Sequence, residues 1–158
     1  MHISKRLLPV ISTVLLILIL ATLFVFRKER YILNRAVRLF CERLIQFEHL
    51  SMVRQEKYRF DIQSGYYNIY LFEKEKGQWK IFDRFDLPSS VVFAASDLKI
   101  LLSGGGVESC LVDGTALEPD SYVILTFRHQ KKPGKRKSVI FYEKGNWRVL
   151  DQEQEAKE

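Results

Sequence analysis

The sequence predicts an α+β protein in which one long N-terminal helix, transmembrane over residues 7–26 and amphipathic over 27–56, packs on antiparallel β-sheet. Three observations carry this. Residues 7–26 form an uninterrupted apolar run without a charge. Beyond it, apolar residues recur at helical spacing as far as Leu50. From Tyr58 onward the apolar period changes to two, in short runs parted by turn residues.

The apolar run, LLPVISTVLLILILATLFVF, has only Ser12, Thr13 and Thr22 as polar side chains. Its twenty residues rise about 30 Å, the thickness of a bilayer's hydrocarbon core. Pro9 falls in the first turn, where a missing N–H costs a helix little. The run closes on Phe24-Val25-Phe26-Arg27 with no small-x-small pair, so it reads as an uncleaved signal anchor. Lys5 and Arg6 flank one side; Arg27, Lys28, Arg30, Arg35 and Arg38 flank the other. By the positive-inside rule alone, the larger flank stays in the cytoplasm and holds the C-terminal domain there.

No Gly or Pro follows Pro9 until Gly65, so the helix is expected to continue unbroken to about Gln55, roughly 70 Å in all. Leu33, Val37, Phe40, Leu44 and Phe47 make the apolar stripe of its outer half. These five are the candidate helix-packing contacts, serving either partner helices or the domain's own core.

Strands are expected over residues 58–62, 67–71 and 79–83, with a hairpin turn at Lys76-Gly77, and in a second group over 98–102, 110–112, 122–127, 138–142 and 147–150. The last two join through Glu143-Lys144-Gly145-Asn146. The chain thus divides into a basic stub (1–6), the anchor (7–26), the amphipathic continuation (27–56), one β-rich domain (57–150) and a polar, fraying tail (151–158). A total of 158 residues leaves room for one core outside the membrane, and the 47% apolar content, with eleven Phe and seven Tyr, is enough to fill it.

The net charge of +6 is unevenly placed. Residues 1–56 hold nine Lys/Arg against four Asp/Glu, whereas 57–158 hold sixteen against fifteen. The basic excess therefore lies beside the membrane, where lipid phosphates are partners, and a domain-wide nucleic-acid surface is not indicated. The one compact exception is Lys131, Lys132, Lys135, Arg136 and Lys137 about Pro133-Gly134. These five are candidates for contact with phosphate or an acidic partner, or form a solvated hairpin tip whose lysines oppose edge aggregation. With no aromatic side chain in the cluster to stack on a base, the second reading is favoured.

No catalytic, metal or cofactor constellation is visible. His2, His49 and His129 stand at no ligand-pair spacing. Ser103-Gly104-Gly105-Gly106 lacks the Lys-Ser/Thr of a phosphate loop and reads as a turn. Asp83 and Asp86 precede Leu87-Pro88 in a place where solvated loop acids are common, and Cys41 and Cys110 are too few for a metal site or a disulfide framework and pair only if the fold brings them together.

The order of pieces carries a resemblance: the basic stub, Ala36-x-x-Leu39 and Arg43-Leu44 in the helix, Tyr58-Arg59-Phe60 opening the sheet, Trp79, Asp86-Leu87-Pro88-Ser89-Ser90-Val91, the glycines ending residues 100–106, and Gly145-Asn146-Trp147-Arg148-Val149. This layout resembles type IV pilins and type II secretion pseudopilins, and within them the GspH/FimT group of minor pseudopilins. The resemblance implies a pilin-like fold and a non-enzymatic subunit that helps initiate or cap a filament. It implies other pilin or pseudopilin subunits, inner-membrane assembly proteins and secreted cargo as partners. It also implies a single-pass protein of the bacterial inner membrane, with the N-terminus cytoplasmic and the domain periplasmic, against the charge count. One departure is plain: Ser4-Lys5-Arg6-Leu7-Leu8-Pro9-Val10 has neither the prepilin-peptidase Gly nor the following Glu of the family. The alternatives are a DNA-binding minor pilin working through residues 131–137, and a bitopic membrane scaffold unrelated to pilins.

Overall fold

A computed structural model describes residues 7–94, 97–142 and 145–150. The expected stub and tail, and Glu143-Lys144 of the last turn, lie outside the described residues. Helix α1 spans Leu7–Arg54, 48 residues and so roughly 72 Å long. It ends where Gln55 takes φ 53°, the left-handed conformation that closes helices. Every residue from 11 to 25 is exposed, so nothing in the domain covers a segment long and apolar enough to cross a membrane.

The strands are β1 Tyr58–Gln63, β2 Tyr66–Glu73, β3 Gln78–Asp86, β4 Val91–Phe93, β5 Leu98–Ser103, β6 Gly106–Val112, β7 Thr115–Ala116, β8 Tyr122–His129, β9 Lys132–Tyr142 and β10 Trp147–Leu150. They form two antiparallel sheets, ordered β3-β2-β1-β5-β6-β7 and β10-β9-β8-β4. The expected second group of strands therefore does not correspond to a second sheet. Strand β5 returns to pair with β1, Tyr58 opposite Leu102, and only β4, β8, β9 and β10 form the smaller sheet. Strands β4 and β7 add to the expected set, and β6 and β9 begin before their expected starts.

Alternation places Tyr58, Phe60 and Ile62 of β1 and Leu98, Ile100 and Leu102 of β5 in the core, each at most 1% exposed. Helix α1 lies on this surface and also on the inner face of the smaller sheet. Phe40 sits where the three meet. Its ring has edge contacts with Phe60 and Tyr67 of the larger sheet at 6.2 and 5.3 Å, and with Phe93 and Phe127 of the smaller at 6.1 and 5.5 Å.

Two glycine-bearing turns lock this packing. The β5–β6 hairpin turns on Gly104 and Gly105, both at positive φ as a tight two-residue connection requires. It docks on the end of α1, where the Gly105 N–H donates to Ser51 Oγ at 3.1 Å. Ser51, fully buried, donates in turn to the Glu48 carbonyl at 2.7 Å. Gly145 in the β9–β10 turn has φ 81° and lies so close to the Val107 carbonyl of β6 that a Cβ there would collide with it. Gly77, in the β2–β3 turn, has φ 62° but open space around it.

Gly145→Ala is therefore expected to cost about 2–3 kcal/mol, combining left-handed strain with backbone overlap, and Gly77→Ala about 1 kcal/mol. Urea denaturation of the full chain in detergent, followed by Trp fluorescence, measures both. Equal costs would show that the approach of the β9–β10 turn to β6 is not tight.

Candidate assembly face and basic hairpin

The outer half of α1 has two faces. Leu33, Val37, Phe40, Leu44 and Phe47 are each at most 4% exposed and pack in the chain's own core. Phe47 adds edge contacts to Tyr58 and Phe60 at 5.0 and 5.6 Å. Of the two roles open to this stripe, the five side chains fill the internal one, because two sheets flank the same helix face. The opposite face is exposed. There Tyr31, Leu39, Ile45, Met52 and Val53 are 44–63% exposed, beside an exposed Arg38–Glu42 pair at 3.5 Å. A groove of about 120 Å³ borders this face, lined by Leu39, Arg43, Phe85, Leu87 and Pro88 among others. It is far below the roughly 300 Å³ of a small-molecule site.

The basic segment is placed differently from its expected Pro-Gly turn. The β8–β9 hairpin turns at Gln130-Lys131, and Lys132 already belongs to β9. Arg128 stands opposite Arg136 and His129 opposite Lys132, so residues 133–135 are extra on β9 and form a bulge. A proline, with no N–H to give a ladder, is at home there. The bulge turns the cations toward the start of the amphipathic helix. Lys132 Nζ meets Glu29 Oε1 at 2.7 Å and Lys135 Nζ meets Oε2 at 2.8 Å, so both carboxylate oxygens are engaged. These two hydrogen bonds hold the Glu29 carboxyl well below the usual range, at about 2, and its side chain is 15% exposed. Lys131 and Arg136 are exposed. Lys137 is half-buried.

Most of the remaining sequence candidates take structural roles. His129 is 6% exposed and its Nδ1 accepts from the Lys131 N–H at 3.3 Å, while His49 is exposed on the helix. Asp83 and Asp86 flank Arg84: Asp83 Oδ1 accepts the Arg84 N–H at 2.8 Å, and Asp86 Oδ1 takes its guanidinium at 3.0 Å. Ser103–Gly106 is the turn that docks on Ser51. Cys41 and Cys110 are free, buried thiols, which burial pushes up to about 11 and about 12. Among the described residues, no group of three or more His, Cys, Asp or Glu is placed to hold a metal. Trp147 explains its place in the closing motif by donating Nε1–H to Glu48 Oε1 at 3.0 Å, joining β10 to the helix.

No family model and no curated protein sequence matches this chain. Solved structures do. Two of the minor pseudopilin EpsH from the type II secretion system of Vibrio cholerae superimpose with TM-scores of 0.55 each, at 16% and 14% identity. They cover 75% and 77% of this chain and 95% and 94% of the neighbour. At such identity the likeness shows the fold: a long apolar N-terminal helix packed on antiparallel sheets, pilin-like.

Two outcomes follow for the helix faces and the hairpin. Phe40→Ala is expected to destabilise the domain by about 3–5 kcal/mol, and Leu39→Ala, on the other face, by under about 0.5 kcal/mol. Thermal melts of the two variants in detergent separate these cases. The Glu29 contact is complete at neutral pH, weakens as pH falls below the ordinary 4.5, and is lost near pH 2, because a carboxylate with a depressed pKa favours the folded state only while ionised. Deuterium uptake by the β8–β9 amides should accordingly be faster in Glu29→Gln than in the wild type at pH 6. The difference should shrink below pH 4.5. A pH-independent difference would mean that the carboxylate charge does not hold the hairpin.

Proposed function

We propose that the chain is a non-enzymatic minor pseudopilin-like subunit of a type II secretion or type IV pilus-like system. It is anchored in the bacterial inner membrane by residues 7–26, with the N-terminus cytoplasmic and the domain periplasmic, and it helps initiate or cap the filament. The observation that carries this reading is one continuous helix, bare and apolar in its first half and packed on two antiparallel sheets in its second, in the fold of EpsH. Its partners are other pilin-like subunits and inner-membrane assembly proteins. They are met by the bare half of α1 within the bilayer and by Leu39, Ile45 and Val53 beyond it.

The absence of both Gly and Glu from residues 4–10 supports a terminal position. In a filament interior, a membrane-buried carboxylate needs a partner charge on a neighbour, and a subunit without one fits best where that contact is not required. The DNA-binding alternative is less well supported, since Lys132 and Lys135 engage Glu29 and the hairpin lies at the membrane-proximal end of the domain.

Two experiments test this. Protease added to intact spheroplasts should digest the domain; protection that is lost on lysis would overturn the orientation. Leu39→Glu and Ile45→Glu should leave the melting temperature unchanged within about 3 °C, being exposed substitutions, yet abolish co-isolation with pilin-like subunits of the same cell. Undiminished co-isolation would remove this helix face from the assembly.

A further inference from the structure

The exposed face of α1, opposite the buried stripe, has a regular period of its own. Lys28, Tyr31, Arg35, Arg38, Glu42 and Ile45 follow one another at alternating steps of three and four residues, and all six are exposed. The same steps continue through His49 to Met52, both also exposed. This is the spacing at which one helix meets another along a coiled-coil seam. Leu39 and Val53, at 44% and 63% exposure, each follow a seam residue directly and widen its apolar part.

The seam is basic near the membrane and apolar at its far end, and this order decides what can lie on it. A second copy anchored in the same bilayer would run parallel. In register it sets Lys28 against Lys28, Arg35 against Arg35, Arg38 against Arg38 and Glu42 against Glu42, so each of these charged layers opposes its like. A stagger of one heptad matches Arg35 with Glu42, but it sets Lys28 against Arg35 and leaves Arg38 facing Ile45. Lipid is not the complement either. Arg35 and Arg38 lie nine and twelve residues past Phe26, about 13 and 18 Å along the axis, beyond a headgroup layer about 5–7 Å thick.

We propose that this seam docks one helix of a different single-span protein, parallel to α1, which carries carboxylates opposite Arg35 and Arg38, a cation opposite Glu42 and apolar side chains opposite Ile45 and Met52. The proposal deepens the assembly reading above and rests on it. Like charge in the membrane-proximal layers keeps copies of this chain apart, so that it enters an assembly singly, beside a chain of complementary sequence. Apolar contact supplies the adhesion, and the charged layers choose the partner.

A charge-swapped copy of the full chain, Arg35→Glu/Arg38→Glu/Glu42→Arg, serves as the complementary helix. All three positions are exposed, so its melting temperature in detergent should stay within about 3 °C of the wild type; should it melt lower, Arg35→Glu alone gives the same preference at about two-fold. Chains carrying a donor or an acceptor dye at the C-terminus are reconstituted in dilute phosphatidylcholine bilayers, and pairing is read by energy transfer. Mixing wild type with the swapped copy turns three layers from like to opposite charge. The mixed pair should associate roughly ten-fold more tightly than wild type with itself, and the difference should shrink in about 1 M salt. Equal transfer in mixed and like pairs would overturn the proposal, as would strong pairing of the wild type with itself. Mixed pairing that vanishes when phosphatidylglycerol is added would assign Arg35 and Arg38 to lipid, and so overturn it too. In cells, the swapped chain should lose co-isolation with the pilin-like subunits that hold the wild type. If it keeps them while Leu39→Glu and Ile45→Glu lose them, the assembly face stands and its charge code falls; if all three variants keep them, both readings fall.

Discussion

The interior of this protein depends on one helix face being shared by two sheets. Phe40 is the point of contact: its ring touches β1 and β2 on one side and β4 and β8 on the other. The sheets are held together largely because each buries its apolar side against the same stripe of α1. Removing bulk at this position opens a cavity between three elements at once, which leaves little scope for one of them to relax into the space. The stripe's five side chains are buried in the chain's own core, whereas Tyr31, Leu39, Ile45 and Val53 of the same helix stand exposed.

The helix and most strands were legible because their signals are local. The apolar run, the stripe from Leu33 to Phe47 and the alternation in β1, β2, β5 and β8 can be read within windows shorter than the element. Sheet membership was not, since the pairing of β5 with β1 depends on contacts some forty residues apart and leaves no local mark. Strand β4 is three residues long, too short to show a period. The start of β9 was hidden by Lys-Pro-Gly, a composition that signals a turn and here fills a bulge. Nor does periodicity tell a stripe that faces the chain's own sheet from one that faces a partner, because both present the same spacing. The Glu29 carboxylate, more than a hundred residues from the lysines that hold it, carried no sequence signal beyond its isolation among cations.

The distribution of charge and apolar surface assigns a role to each part of the molecule. The bare half of α1 requires lipid or other helices. The amphipathic half builds the core and leaves a mixed apolar and charged face outward. The polar groups that close the interior, Ser51 on Gly105 and Trp147 on Glu48, each join the helix to a different sheet. His129 accepts a backbone N–H, the thiols of Cys41 and Cys110 are buried, and Asp83 and Asp86 hold Arg84.

The attachment of the domain at two levels along α1 has a mechanical consequence. Glu29 holds the smaller sheet near the base, and Ser51 holds the larger near the top, about 33 Å further along the axis. A tensile load applied to the helix enters the domain in shear, spread along the stripe between the two attachments, and meets no hinge at which it concentrates. Torque about the axis is resisted by both sheets at once. A helix that is pushed or drawn through the plane of the membrane would therefore carry its domain as a rigid body, in step with every displacement.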